Sequence, residues 1–372
     1  MKICIVRSSD IGPLNQTLAE LDRTSAIKSI LILACDANGY TPQALNPILR
    51  TLSKPCFGGI FPQVLGGKER LTQGAVVVGL NRRVQTSVIE GLGERCTDFE
   101  IALNDAFAGS GAGQSTMFVF VDGWSTSIGG LIELLFNQFG LEINYIGGGA
   151  GSLSQHNQPC IISNLGLLQD SAVLALTDLP SSIGVAHGWR SISDAFKVTE
   201  AVGNRIITLD WRPAFEVYRK VVEQHSGLSF DALPFFDIAK AYPFGIAKLD
   251  AEMVVRDPMQ EQRGELICIG EVPKGAFVHI LYGRPDTVIE AAGHALNLAR
   301  LDFTQGTPGL MLFVDCISRV LFLGEEFNQE INAVASDDLP MVGALTLGEI
   351  ANNGFDYLEF YNKTSVIGLF PG

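Results

Sequence analysis

The sequence predicts an α/β protein of two related domains, with layered sheets flanked by helices and internally duplicated strand–Asp–helix–strand units. Three observations carry this. An apolar strand running into Asp, then a helix, then an apolar Gly-bearing strand, is written three times along the chain. Of 372 residues, 47% are hydrophobic and only 18% charged, a balance that fits large buried sheets rather than solvated helices. Strand-like and helix-like stretches also alternate from Met1 to about Tyr218.

In order, Met1 to Arg7 starts like a strand and has no long apolar run, so no secretory signal is expected. The first copy is Ile30 to Asp36, a helix from Pro42 to Leu52, and Cys56 to Ile60. Val76 to Leu80 is a short buried-type strand. The second copy is Phe118 to Asp122, a helix from Ile128 to Phe139, and Ile143 to Gly149, followed by the strand Ala172 to Leu176. Ile206 to Leu209 is a strand, and Pro213 opens a helix at its first turn. Gln224 to Pro243, with Ser, Gly, Asp and two prolines, reads as a domain boundary. The expected domains are therefore residues 1–224 and 225–372. Sheet structure restarts at Phe244 to Ala247 and Leu266 to Ile269, then come a strand Phe277 to Tyr282 and a helix Asp286 to Ala299. The third copy is Leu310 to Asp315, a helix from Phe322 to Val334, and Met341 to Leu345, before closing strands Tyr357 to Asn362 and Ser365 to Phe370. Each strand-end Asp can accept hydrogen bonds from the free N–H groups that open the next turn.

A net charge of −14 and a pI near 4.8 argue against nucleic acid and anionic membranes, which need concentrated Lys and Arg. Apolar runs break within about ten residues, half of what a spanning helix needs, so no membrane insertion is expected. Seven widely spaced cysteines, Cys4, Cys35, Cys56, Cys96, Cys160, Cys268 and Cys316, suit reduced buried thiols in a cytoplasm better than disulfides. Their spacing shows no metal cluster.

Gly109 to Gly113 precedes a strand rather than a helix, and Gly147 to Gly151 runs into the poor helix start Gln155-His156-Asn157-Gln158-Pro159. Backbone crowding at a loop or a ligand pocket explains these glycines better than phosphate binding. Cys316 lies three residues before Arg319, which can stabilise a thiolate. A nucleophilic Cys also needs a base, and no histidine is placed beside it by the sequence. His187-Gly188-Trp189 follows a strand and reads either as a hydrogen-bonded core histidine or as part of an aromatic pocket.

The segment His187-Gly188-Trp189, Val198-Thr199, Gly203 to Ile206 and Pro213 to Tyr218 resembles the end of an N-terminal FIST domain. Pro243-Phe244-Gly245, Gly270 to Pro273, Cys316 to Arg319, Gly343 to Ile350 and Tyr361 to Ser365 resemble its C-terminal partner domain. The ordered series covers nearly the whole chain. The resemblance implies a sensory module for a small ligand, with amino acids and their derivatives proposed. A bacterial branch binds haem and senses nitric oxide, partnering a histidine kinase. No F-box, kinase or cyclase segment is expected here. Gly58 to Gln63 departs from the family's Gly-Cys-Ser-Thr-like turn.

The expectation is a cytoplasmic sensor without catalysis, its pocket lying where the Gly-rich strand returns of the two domains converge. There Thr346 and Glu349 can meet a ligand amine, Arg319 its carboxylate, and Cys316 sits alongside. If haem binds, His187 is the expected axial ligand. His156 and His225 lie in loop-like or linker-like sequence, while His279 and His294 sit within a strand and a helix. The rival from another class is a Cys-dependent enzyme using Cys316.

Overall fold

The computed structural model describes residues 1–93, 99–107, 116–154, 158–248, 253–352 and 357–372. Cys96, the Gly109 to Gly113 stretch and His156 lie outside them.

The thrice-written sentence becomes three copies of one folding unit. The first unit has an opening strand Lys2–Val6, a helix Ile11–Arg23, a lead strand Ser29–Cys35, a helix Pro42–Leu49, a return strand Cys56–Phe61, a hairpin Gln63–Gly66/Glu69–Leu71 and a closing strand Ala75–Leu80. The second repeats this order as Val84–Glu90, Phe99–Ala106, Thr116–Asp122, Ile128–Phe139, Asn144–Ala150, Ile161–Ser163/Gly166–Leu168 and Ser171–Thr177. The third begins at Ser182–Ala186 and resumes with helix Pro285–Leu301. Lead strand Pro308–Cys316, return strand Met341–Thr346, the pair Glu349–Ala351/Glu359–Tyr361 and closing strand Ser365–Pro371 follow.

In every unit the lead and return strands pair parallel, because a helix crosses between them. The closing strand returns antiparallel on the lead strand's other side, and the opening strand pairs with it. The return strand's free edge is covered by a hairpin from a different unit. The first unit gives its hairpin to the third, the second to the first, and the third to the second. Three six-stranded sheets are thus closed in a ring.

Lead strands Ser29–Cys35 and Thr116–Asp122 are buried along their whole length, which explains their uninterrupted apolar sequence. Rings from all three units meet between the sheets. Phe57 lies 5.3 Å from Phe118, Phe118 lies 5.5 Å from Phe370, and Phe61 lies 5.7 Å from Phe120.

Between Ala186 and Pro285 the third unit carries an insertion forming a nine-stranded sheet, with helices Ala214–Ser226 and Phe235–Ala239 packed with it. Gln224 to Pro243 is therefore partly helical, and position 224/225 falls inside a helix whose C-cap is left-handed Gly227.

Two local expectations change. The third unit's second helix starts early, at Ile317. It breaks at Gly324 (φ 57°) into a 3₁₀ turn before resuming as Phe327–Val334. Among the strand-end aspartates, Asp122 does accept from turn amides, from Trp124 N at 3.1 Å and Asp170 N at 2.9 Å. Asp36 opens a 3₁₀ turn, whereas Asp315 turns inward to Arg319 and Ser365. No described helix is long and apolar enough to cross a membrane.

Candidate functional site

The residues singled out from sequence do meet, but in the interior. The third lead strand ends on Asp315 and Cys316, and the next helix turns Arg319 back over Asp315, four residues earlier. Arg319 Nε lies 3.0 Å from Asp315 Oδ1 and 2.9 Å from Glu330 Oε1, and Nη2 also pairs with Glu330. Nη1 donates to the carbonyls of His187 (2.8 Å) and Lys363 (3.1 Å), and Nη2 to that of Val288 (2.7 Å). Arg319 is fully buried. The role expected for it, pairing a ligand carboxylate, is already filled by two protein carboxylates and three carbonyls.

Thr346 donates to Glu349 Oε1 at 2.8 Å, and the Thr364 amide donates to Oε2 at 3.2 Å. Burial, only partly opposed by those bonds and one from the Cys316 thiol, pushes Glu349 up from 4.5 to about 8. Between those values the folded protein holds a proton that the unfolded chain releases. The stability this group contributes is thus full below pH 4.5 and lost as pH rises through 8. Glu349→Gln should flatten that pH dependence and stabilise the protein near pH 8 by on the order of 3 kcal/mol. Urea unfolding at pH 5 and pH 8 measures it, and equal slopes in variant and wild type would count against the assignment.

Cys316 is 1% exposed, and burial, reinforced by Glu349, raises its thiol above the ordinary range. The thiolate that nucleophilic attack requires is disfavoured there. His187 is 4% exposed; its Nδ1 accepts from Trp189 N at 2.9 Å, and burial, with Arg319 second, pushes it down to about 3. Trp189 is pinned by a hydrogen bond to Lys363 O (3.0 Å) and packs on Phe322. A recess touching Gly188, Trp189 and His294 is about 290 Å³ and is also lined by Arg190 and Glu290. An imidazole packed in this way beside a small charged recess does not fit a haem. Among the other described histidines, His225 lies against Tyr242 and Tyr282, and His279 bonds within its sheet to Ser191 and Ser193.

The glycine run Gly147 to Gly149 has a backbone explanation. The third unit's chain crosses it, with Leu347 N bonding to Gly149 O and Gly149 N to Gly348 O, each at 2.8 Å. A Cβ on Gly148 would stand 2.6 Å from Gly348 O.

Beside this crossing opens a cleft of about 570 Å³. The second unit supplies Gly123 and the start of helix Ile128–Phe139, the third unit Glu359 and Phe360, and the insertion Arg256 and Glu271. Lys248 and Glu359, which both line it, pair with each other. Arg256 is 7% exposed and donates only to carbonyls: Nε to Glu271 O (2.8 Å), Nη1 to Phe360 O (2.8 Å) and Val255 O (3.0 Å). Sequence reasoning missed this arginine, which reads as the polar end of an apolar run, Val254-Val255-Arg256-Asp257. The cleft, unlike the Arg319 cluster, has room for a molecule.

The FIST N domain profile matches residues 29–212 and the FIST C domain profile residues 214–352. No curated protein matches the sequence. Among solved structures the chain is similar to a crystal structure of a chorismatase, at 9% identity over 99% of this chain and 98% of that one, with a TM-score of 0.36. A likeness that loose carries no argument about chemistry. With both profiles matched in order, the chain belongs to the FIST family, whose domains bind small ligands in signal-transduction proteins.

Proposed function

We propose that this is a cytoplasmic sensory protein that binds an amino-acid-like ligand in the cleft and signals through a partner such as a histidine kinase, without turnover. The observation that carries the reading is the cleft itself. Its volume of about 570 Å³ suits a small ligand, and it offers both signs of charge, with hydroxyls of Ser125 and Thr126, to a zwitterion. Three parts of the fold line it, so occupancy bears on how the inserted sheet sits against the second and third units. On this reading Cys316, Arg319, Thr346 and Glu349 support the crossing at Leu347 and Gly348 that forms one side of the joint.

Two rivals fare less well. A haem-binding nitric oxide sensor would need His187 to leave its packed position, and a Cys-dependent enzyme would need an ionised Cys316 where burial opposes one. The test is a thermal-shift screen with the common L-amino acids, followed by calorimetry on any that bind. A ligand at a hundred times its Kd adds about 2.7 kcal/mol of stability, so at least one amino acid should raise the melting temperature by several degrees. No shift with any of them at millimolar concentration would remove the amino-acid reading.

A further inference from the structure

We infer that Arg256 is the anion anchor of the cleft and holds the ligand's carboxylate. This rests on the small-ligand reading above and names the group recognised. Among the described residues three cationic side chains are buried: Arg256, Arg319 and Lys363. Arg319 is matched by Asp315 and Glu330, and Lys363 by Asp257 at 3.1 Å. Arg256 alone has no carboxylate in ion-pair contact among the described residues, and its Nη2 has no hydrogen-bond partner there. Burying a charge without an opposite partner is costly. Carbonyl dipoles hold the guanidinium in place without neutralising it.

The surroundings are built around that group. Gly270 (φ 80°) lies against it, and a Cβ there would stand 3.1 Å from Arg256 Nε. Neither acid of the cleft is in ion-pair contact with Arg256; both favour its charge only at longer range. Glu359 pairs with Lys248. The Glu271 carboxylate lies over the first turn of helix Ile128–Phe139, its Oε2 3.0 Å from where a Cβ on Gly129 would be. Among the described residues that leaves Arg256, a cation with no carboxylate in ion-pair contact, and the exposed Glu271 carboxylate lining the same space. A monoanionic carboxylate fits Nη2, with any ammonium group of the ligand toward Glu271. Among the described residues a phosphate dianion would find no second cation free of a carboxylate partner in the cleft, and it would meet Glu271 and Glu359.

The test has two arms. In the first, the Arg Nε–Hε resonance that disappears in Arg256→Gln is followed in the wild-type protein by NMR. Acetate at constant ionic strength should move it, and acetamide, equal in shape but neutral, should not. In the second, the tightest amino acid from the thermal screen should lose about tenfold or more in affinity in Arg256→Gln, while its carboxamide binds both proteins alike. A resonance unmoved by acetate, or undiminished amino-acid affinity in the variant, overturns the assignment. A resonance moved by acetate when no amino acid binds keeps Arg256 as the anion site and discards the amino-acid reading. The acetate response is read on the unaltered protein, and a second variant, Arg256→Lys, which keeps the charge, checks the resonance assignment should Arg256→Gln fold poorly.

Discussion

Arg319→Met should destabilise the protein by about 3–5 kcal/mol, the range for removing one partner from a buried ion pair. The substitution keeps an unbranched side chain but strands Asp315 and Glu330, which are both fully buried and share this cation. Burial already raises both carboxyls even with the arginine present; without it they must take up protons or remain as unpaired buried charges. The carbonyls of His187, Val288 and Lys363 lose their donor as well. Urea unfolding at neutral pH measures the loss, and repeating it near pH 5, where protonation comes more easily, should shrink it. A variant within about 1 kcal/mol of wild type at neutral pH would show that the cluster does not hold this corner together.

Gly147→Ala should cost about 3 kcal/mol, at the upper end of overpacking penalties. An added Cβ would overlap the carbonyl oxygen of Val119 on the lead strand, and nothing there is the flexible tip of a side chain. Both strands are buried at that point. The same conflict stands at Gly58 against Ile32 and at Gly343 against Phe313, so each unit needs one such glycine in its return strand. Gly130→Ala is the matched control. It lies in helix Ile128–Phe139 with open space where its Cβ would go, and it should be neutral or stabilising by up to about 1 kcal/mol. Thermal melts of the two variants side by side test the contrast, and equal melting temperatures would contradict the crowding argument.

The repeating unit was legible in the sequence because its signal is local. An apolar lead strand, an Asp and a helix of ordinary length each leave a mark within a window of some twenty residues. The hairpin exchange was not, since strands as short as Ile161–Ser163 and Glu349–Ala351 carry nothing that names a partner in another unit. The same holds for the candidate site. Cys316, Arg319, Thr346 and Glu349 were picked out together and do lie together, yet sequence spacing does not reveal that Glu330 has already claimed the arginine. Arg256 carries the opposite lesson. What distinguishes it is a missing carboxylate in three dimensions, and no pattern along the chain records an absence of that kind.

Were the three units separate polypeptides, each lending a hairpin to the next, they would assemble as a cyclic homotrimer with head-to-tail contacts. Symmetry would then force any change at one subunit junction to appear at all three. Joining them covalently lifts that constraint. The end of the lead strand is a 3₁₀ turn at Asp36, the border of a 570 Å³ cleft at Gly123 and an internal ion cluster at Asp315. One pseudosymmetric position has thus taken on three chemistries, and an open cleft at one junction with a buried, ion-paired cluster at another is an asymmetry that a trimer of identical chains could not encode.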